Sequence, residues 1–60
     1  MKKRWGDVTS GDHRKRAVVT IEGNQYVGRI ICSSLGSVPL LWVGEWVHNF
    51  AYWAETEIVD

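Results

Sequence analysis

The sequence predicts a small all-β protein, a four- to five-stranded barrel or curled sheet with a short helical turn near residues 50–55. Three observations point there. Residues 17–22 and 26–33 alternate between two faces at a period of two, as pleated strands do. Glu22-Gly23-Asn24-Gln25 and Gly44-Glu45 interrupt the apolar runs with residues that accept positive φ. The aromatic stretch after residue 40 is built from Trp, Val, His, Asn, Phe and Tyr, all poor helix formers.

Residues 1–12 contain Gly6, Asp7, Thr9, Ser10, Gly11 and Asp12, the composition of a loop. They are expected to form a loose arm, with 13–60 making one small β domain. Trp5 either pins that arm to the body, the commoner fate of a lone large ring, or is displayed to a partner. The first strand covers 17–22, with Ala17, Val19 and Ile21 on one face and Val18, Thr20 and Glu22 on the other. After the Gly-Asn turn the second strand returns over 26–33. Tyr26, Gly28, Ile30 and Cys32 share one face. Gly28 inside a strand signals a bulge or room for a neighbour.

Residues 33–37 read as a loop of small residues. Pro39 has no amide donor and suits a strand start or an edge. Leu40, Leu41, Trp42 and Val43 form the third strand, apolar on both faces. Gly44-Glu45 fits a two-residue type II′ turn, which places Val43 opposite Trp46 on a fourth strand reaching about Asn49. A competing reading takes 44–55 as one helix and the fold as α+β, a hairpin or three-stranded sheet plus that helix. Val43, Trp46, Val47, Phe50, Ala51 and Ala54 lie on one helical stripe. A last short strand over 56–59 closes the sheet. This order of hairpin, loop, second hairpin, helical turn and terminal strand resembles the SH3 or Tudor class. The resemblance is one of architecture, and such barrels serve many unrelated functions.

Sixty residues make one domain near the lower size limit for independent folding. Cys32 is the only cysteine, so no internal disulfide staples the chain, and no clustered ligands suggest a metal. No cofactor is expected. What remains is an aromatic-rich core, self-association, or both. Lys2, Lys3 and Arg4 are followed by no apolar stretch, so no signal peptide is expected, nor a membrane span. A free thiol then favours a reducing cytoplasm. Chains this short are typical of accessory proteins, including those of phages. Modulating a factor in the host cytoplasm would be a natural role for such a protein.

The seven bases and seven acids cancel, but not locally. Residues 1–30 hold every base and carry +4, whereas 31–60 hold Glu45, Glu55, Glu57 and Asp60 and carry −4. Arg14, Lys15 and Arg16 are expected to meet acids such as Glu55 and Glu57, within the fold or across an interface. Ser10, Asp12 and His13 stand close in sequence, but nothing supplies the scaffold and oxyanion site that a catalytic set requires, and no enzyme or small-molecule substrate is expected. His48 reads as an ordinary histidine with a secondary possibility of a pH-sensitive contact.

The four tryptophans are the strongest functional signal. Five of the seven aromatics fall between Trp42 and Trp53, more than a minimal core needs. Trp42, Trp46, Tyr52 and Trp53 are therefore the candidate anchors for another protein or a second copy of the chain. The alternative is nucleic-acid binding through Arg14, Lys15 and Arg16. Against it, bases and aromatics occupy opposite halves of the chain, whereas a stacking groove interleaves them.

Overall fold

Why the chain folds as two successive hairpins is visible at their turns. The computed structural model describes residues 1–34 and 38–59. Six antiparallel strands form one unclosed sheet in the order β1-β6-β2-β3-β4-β5. The strands are β1 (Lys2–Arg4), β2 (Arg16–Ile21), β3 (Asn24–Ile31), β4 (Leu40–Val43), β5 (Trp46–His48) and β6 (Glu55–Ile58). The fold is the small all-β curled sheet expected, with a sixth strand added and without barrel closure. Of the loop expected over 33–37, positions 35–37 lie outside the described residues. Among the described residues no helix is long and apolar enough to cross a membrane.

In the first hairpin Ile21 pairs with Asn24, so the loop is Glu22-Gly23 alone, with Asn24 and Gln25 already in β3. Glu22 has φ 51° and Gly23 φ 82°. Two positive values in a two-residue loop are the type I′ pattern, whose twist matches that of the strands it joins. Nothing lies within 4 Å of a Cβ built on Gly23, so a substitution there meets backbone strain only. Gly23→Val should cost about 1–3 kcal/mol, whereas Gly23→Asn, which tolerates the left-handed region, should cost much less. Urea unfolding of the two variants side by side checks this, and equal stabilities would refute it.

The second hairpin also follows the strand reading. Val43 pairs with Trp46, Trp42 with Val47 and Leu41 with His48. Gly44 has φ 59° and Glu45 is not in the positive region, the pattern of a type II′ turn. The helix considered for 44–55 does not form. Gly44 is needed as a turn, and the β-branched and aromatic residues around it fit a pleat better than a helical surface. The helical turn expected near 50–55 is one β-turn, in which the Ala54 N–H donates to the Ala51 carbonyl at 3.0 Å.

The N-terminal segment corrects the sequence reading. Residues 1–12 are not a loose arm. Lys2, Lys3 and Arg4 pair with Glu57, Thr56 and Glu55, and two 3-10 turns follow, Trp5–Asp7 and Ser10–Asp12. The Trp5 N–H donates to the Ala54 carbonyl and that of Gly6 to the Tyr52 carbonyl, each at 2.9 Å. Trp5 is 1% exposed: it pins the segment, as one of its two readings had it. Around it the inner faces of the strands bury Ala17, Val19, Ile30, Cys32, Leu41 and Ile58, with Val8, Ala54 and Thr56. Cys32 is thus a small buried apolar residue. The edge of the Trp5 ring meets Phe50, centroids 5.2 Å apart, and Phe50 lies against Tyr26 at 5.2 Å.

A buried carboxylate locks the same segment. Asp12 is buried, and its Oδ2 accepts from Lys3 Nζ at 2.9 Å and from the Thr9 N–H at 3.2 Å. Lys15 Nζ stands 3.7 Å from its Oδ1. Burial alone would raise the Asp12 pKa, but the hydrogen bonds from Lys3 and Thr9 and the two lysine charges together hold it below its ordinary value. A carboxylate whose pKa is depressed by folding contributes stability above its unfolded pKa, near 4, and loses it as pH falls through the lower folded value. Asp12→Ala should cost about 2 kcal/mol at neutral pH and should flatten the fall in stability below about pH 4. Urea unfolding from neutral to acid pH tests both, and parallel curves for variant and wild type would contradict the assignment.

Candidate binding surface

The core holds Trp5, with Phe50 and Tyr26 half-buried against it, and the remaining large rings lie outside it. Trp42 is 53% exposed, Trp46 72%, Tyr52 69% and Trp53 51%. Three places in the fold hold them. Trp42 lies on the outer face of the sheet, beside Arg29 on β3 and Val47 on β5. Trp46 shares the inner face with Val43, but at the hairpin end it reaches beyond the core. Tyr52 and Trp53 form the middle of the 51–54 turn, which the Ala54–Ala51 and Gly6–Tyr52 bonds hold against the body. None of the four takes part in a ring–ring contact among the described residues. The surface is therefore a set of separate anchors, Trp42 on β4, Trp46 at the start of β5, and Tyr52 and Trp53 on the 51–54 turn.

The basic segment lies at an irregularity in the sheet. The Arg14 N–H donates to the Ile30 carbonyl at 2.7 Å, and the Ile30 N–H donates to the Lys15 carbonyl at 2.9 Å. Two residues thus oppose one, a β-bulge, and Arg14 adopts φ 71°, the left-handed conformation that such bulges usually give to glycine. Arg29 Nη1 donates to the Arg14 carbonyl at 2.9 Å. Lys15 turns to Asp12. Glu57 is held at 2.7 Å by the N-terminal ammonium and Glu55 stands 4.0 Å from Lys2. The hydrogen bond from that ammonium, with its charge and that of Lys2, draws the Glu57 pKa down against a smaller opposing effect of desolvation.

The register produces a juxtaposition that chain order conceals. Arg16 pairs with Arg29, Arg29 with Trp42, and Trp42 with Val47. Cross-strand partners share a face, so two arginines, a tryptophan and a valine form one row across the outer face. Val18 and Val27 form the pair next to it. Beyond them a shallow groove of about 380 Å³ is lined by Lys2, Val18, Thr20, Gln25, Val27, Glu55 and Glu57. Two bases and one ring separated in the sequence are therefore adjacent in space. The missed signal was the register of β3 against both neighbours.

The remaining titratable candidates are engaged elsewhere. His13 Nδ1 accepts the Cys32 N–H at 3.0 Å, while the Asp12 carboxylate faces Lys3 and Thr9. Asp12 and His13 thus form no relay with Ser10. His48 packs against Tyr26 and Phe50, centroids 5.4 and 6.1 Å away. The chain matches no family model, no curated protein and no solved structure, so its function is argued from this surface alone.

Proposed function

We propose that the chain is a non-enzymatic binding protein that docks another protein, or a second copy of itself, on Trp42, Trp46, Tyr52 and Trp53. The observation that carries this reading is that all four rings are more than half exposed while a different tryptophan fills the core. Exposed tryptophan and tyrosine are the residue types that dominate binding energy when an interface desolvates them. Here two sit on strands of the sheet and two on a short turn hydrogen-bonded to it, so little ordering opposes association. A buried cysteine in no disulfide among the described residues accords with a reducing compartment such as the cytoplasm.

Alanine at Trp46 or Tyr52, 72% and 69% exposed, should change folding stability by less than about 1 kcal/mol, because most of each ring is in solvent. The same change at a ring used for docking should weaken association by about 2 kcal/mol or more. Affinity capture followed by titration of the recovered partner with each variant reads both numbers. Variants that fold and bind like wild type would end this reading.

The row formed by Arg16, Arg29 and Trp42 supports a second reading, a stacking platform for single-stranded nucleic acid. Glu55 and Glu57 share that outer face through their pairing with β2, and carboxylates disfavour phosphate. Docking of a protein is preferred for that reason. Tryptophan fluorescence titrated with a short single-stranded oligonucleotide at about physiological salt decides, since phosphate contacts make such binding steeply salt-dependent.

A further inference from the structure

The two edges of this sheet are built differently. β1 and β5 are the outermost strands. β1 carries Lys2, Lys3 and Arg4, the kind of charge that guards an edge against further pairing. β5 carries Trp46, Val47 and His48, with no Lys, no Pro and no acid. In a two-residue hairpin the closing pair, Val43 and Trp46, exchanges both backbone bonds, and bonding then alternates along the ladder. Leu41 and His48 form the next bonded pair, so the Val47 N–H and C=O point away from β4. No hydrogen bond to the Val47 backbone is made by any other described residue.

We propose that β5 is the edge on which a second copy of this chain pairs, antiparallel, about a two-fold axis through Val47. This deepens the docking reading and rests on it. Each Val47 N–H donates to the Val47 carbonyl of the other copy. On the inner face Trp46 then falls opposite His48 of the second copy, twice, in the closer, non-bonded type of pair. On the outer face the two Val47 side chains meet, flanked by the two Trp42 rings. The only charge between residues 45 and 49, Glu45, falls opposite Asn49, so no like charges are brought together. Self-pairing of β1 would instead set three bases against three, and pairing β1 to β5 would build an open chain rather than a closed dimer.

Val47→Pro is the discriminating variant. Proline is tolerated on an edge strand where the lost N–H faces solvent, so the monomer keeps its fold while the dimer loses its central bonds. Sedimentation velocity across a micromolar concentration series should give a reversible dimer for wild type and a monomer for Val47→Pro, with matching circular dichroism. Amide exchange of wild type should show protection at Val47 that rises with concentration and no such rise at Trp46, which already bonds within the hairpin. This second measurement decides even if the proline variant misfolds. A wild type that stays monomeric, or Val47 exchange independent of concentration, overturns the proposal. A dimer unchanged by Val47→Pro also overturns it while leaving docking through the rings intact. Protection at Val47 that appears only with a foreign protein assigns the edge to another partner and likewise overturns self-pairing.

Discussion

Replacing Trp5 by alanine should remove about 3–5 kcal/mol of folding stability. A domain of this length has a total of roughly 3–9 kcal/mol to lose, so the change removes a large share of the whole. Trp5 is almost fully buried, and its ring makes the edge-on contact to Phe50 and reaches Asn49 Oδ1 from Nε1 at 3.4 Å. Its backbone joins the segment before β2 to the segment before β6 through Ala54. The cavity left by the side chain would open where these segments meet, and only the end of the sheet could collapse into it. Trp5→Phe, which keeps an aromatic ring, should recover much of the loss. Urea unfolding followed by circular dichroism gives both values. A Trp5→Ala variant within about 1 kcal/mol of wild type would mean that the core is centred elsewhere.

What was legible in the sequence was local. Both hairpins announce themselves within about ten residues, through alternation and a glycine at each turn. Even the Val43–Trp46 pairing follows from loop length. What was not legible depends on partners far apart in the chain. Lys2, Lys3 and Arg4 look like a charged arm because their strand partners, Glu57, Thr56 and Glu55, lie more than fifty residues away. Trp5 belongs to the core for the same reason: its neighbours Asn49, Phe50 and Ala54 are all contributed by the other end. Its place there also leaves Trp42, Trp46, Tyr52 and Trp53 in solvent, a division of roles that local pattern cannot assign. The adjacency of Arg16, Arg29 and Trp42 required the register of three strands at once.

The second large effect is expected at Gly28, where β3 runs between β2 and β4. The middle of β3 pairs with β2 through Gly28 and Ala17, and its last three residues pair with β4, Arg29 with Trp42, Ile30 with Leu41 and Ile31 with Leu40. Here β3 and β4 approach so closely that a Cβ on Gly28 would collide with the Trp42 carbonyl oxygen, 2.8 Å from its carbon and 3.1 Å from Val43 Cγ2. The obstacle is backbone, which a rotamer change cannot move. Relief requires β4 to withdraw from β3, loosening the pairs that seat Leu41 in the core. Gly28→Ala should therefore cost about 3 kcal/mol, at the upper end of what overpacking by one methyl group does. The loss should be local as well as global. Amides of β4 and β5 should lose exchange protection before those of β2 and β6, because only the former hang on the displaced ladder. The same displacement would move Trp42 out of its row with Arg16 and Arg29, so any ligand of that row should weaken in a variant whose own side chain never touches it. Unfolding by urea and residue-resolved amide exchange test the two halves of this expectation. A Gly28→Ala protein as stable as wild type, with β4 still protected, would show that the strands part there at little cost.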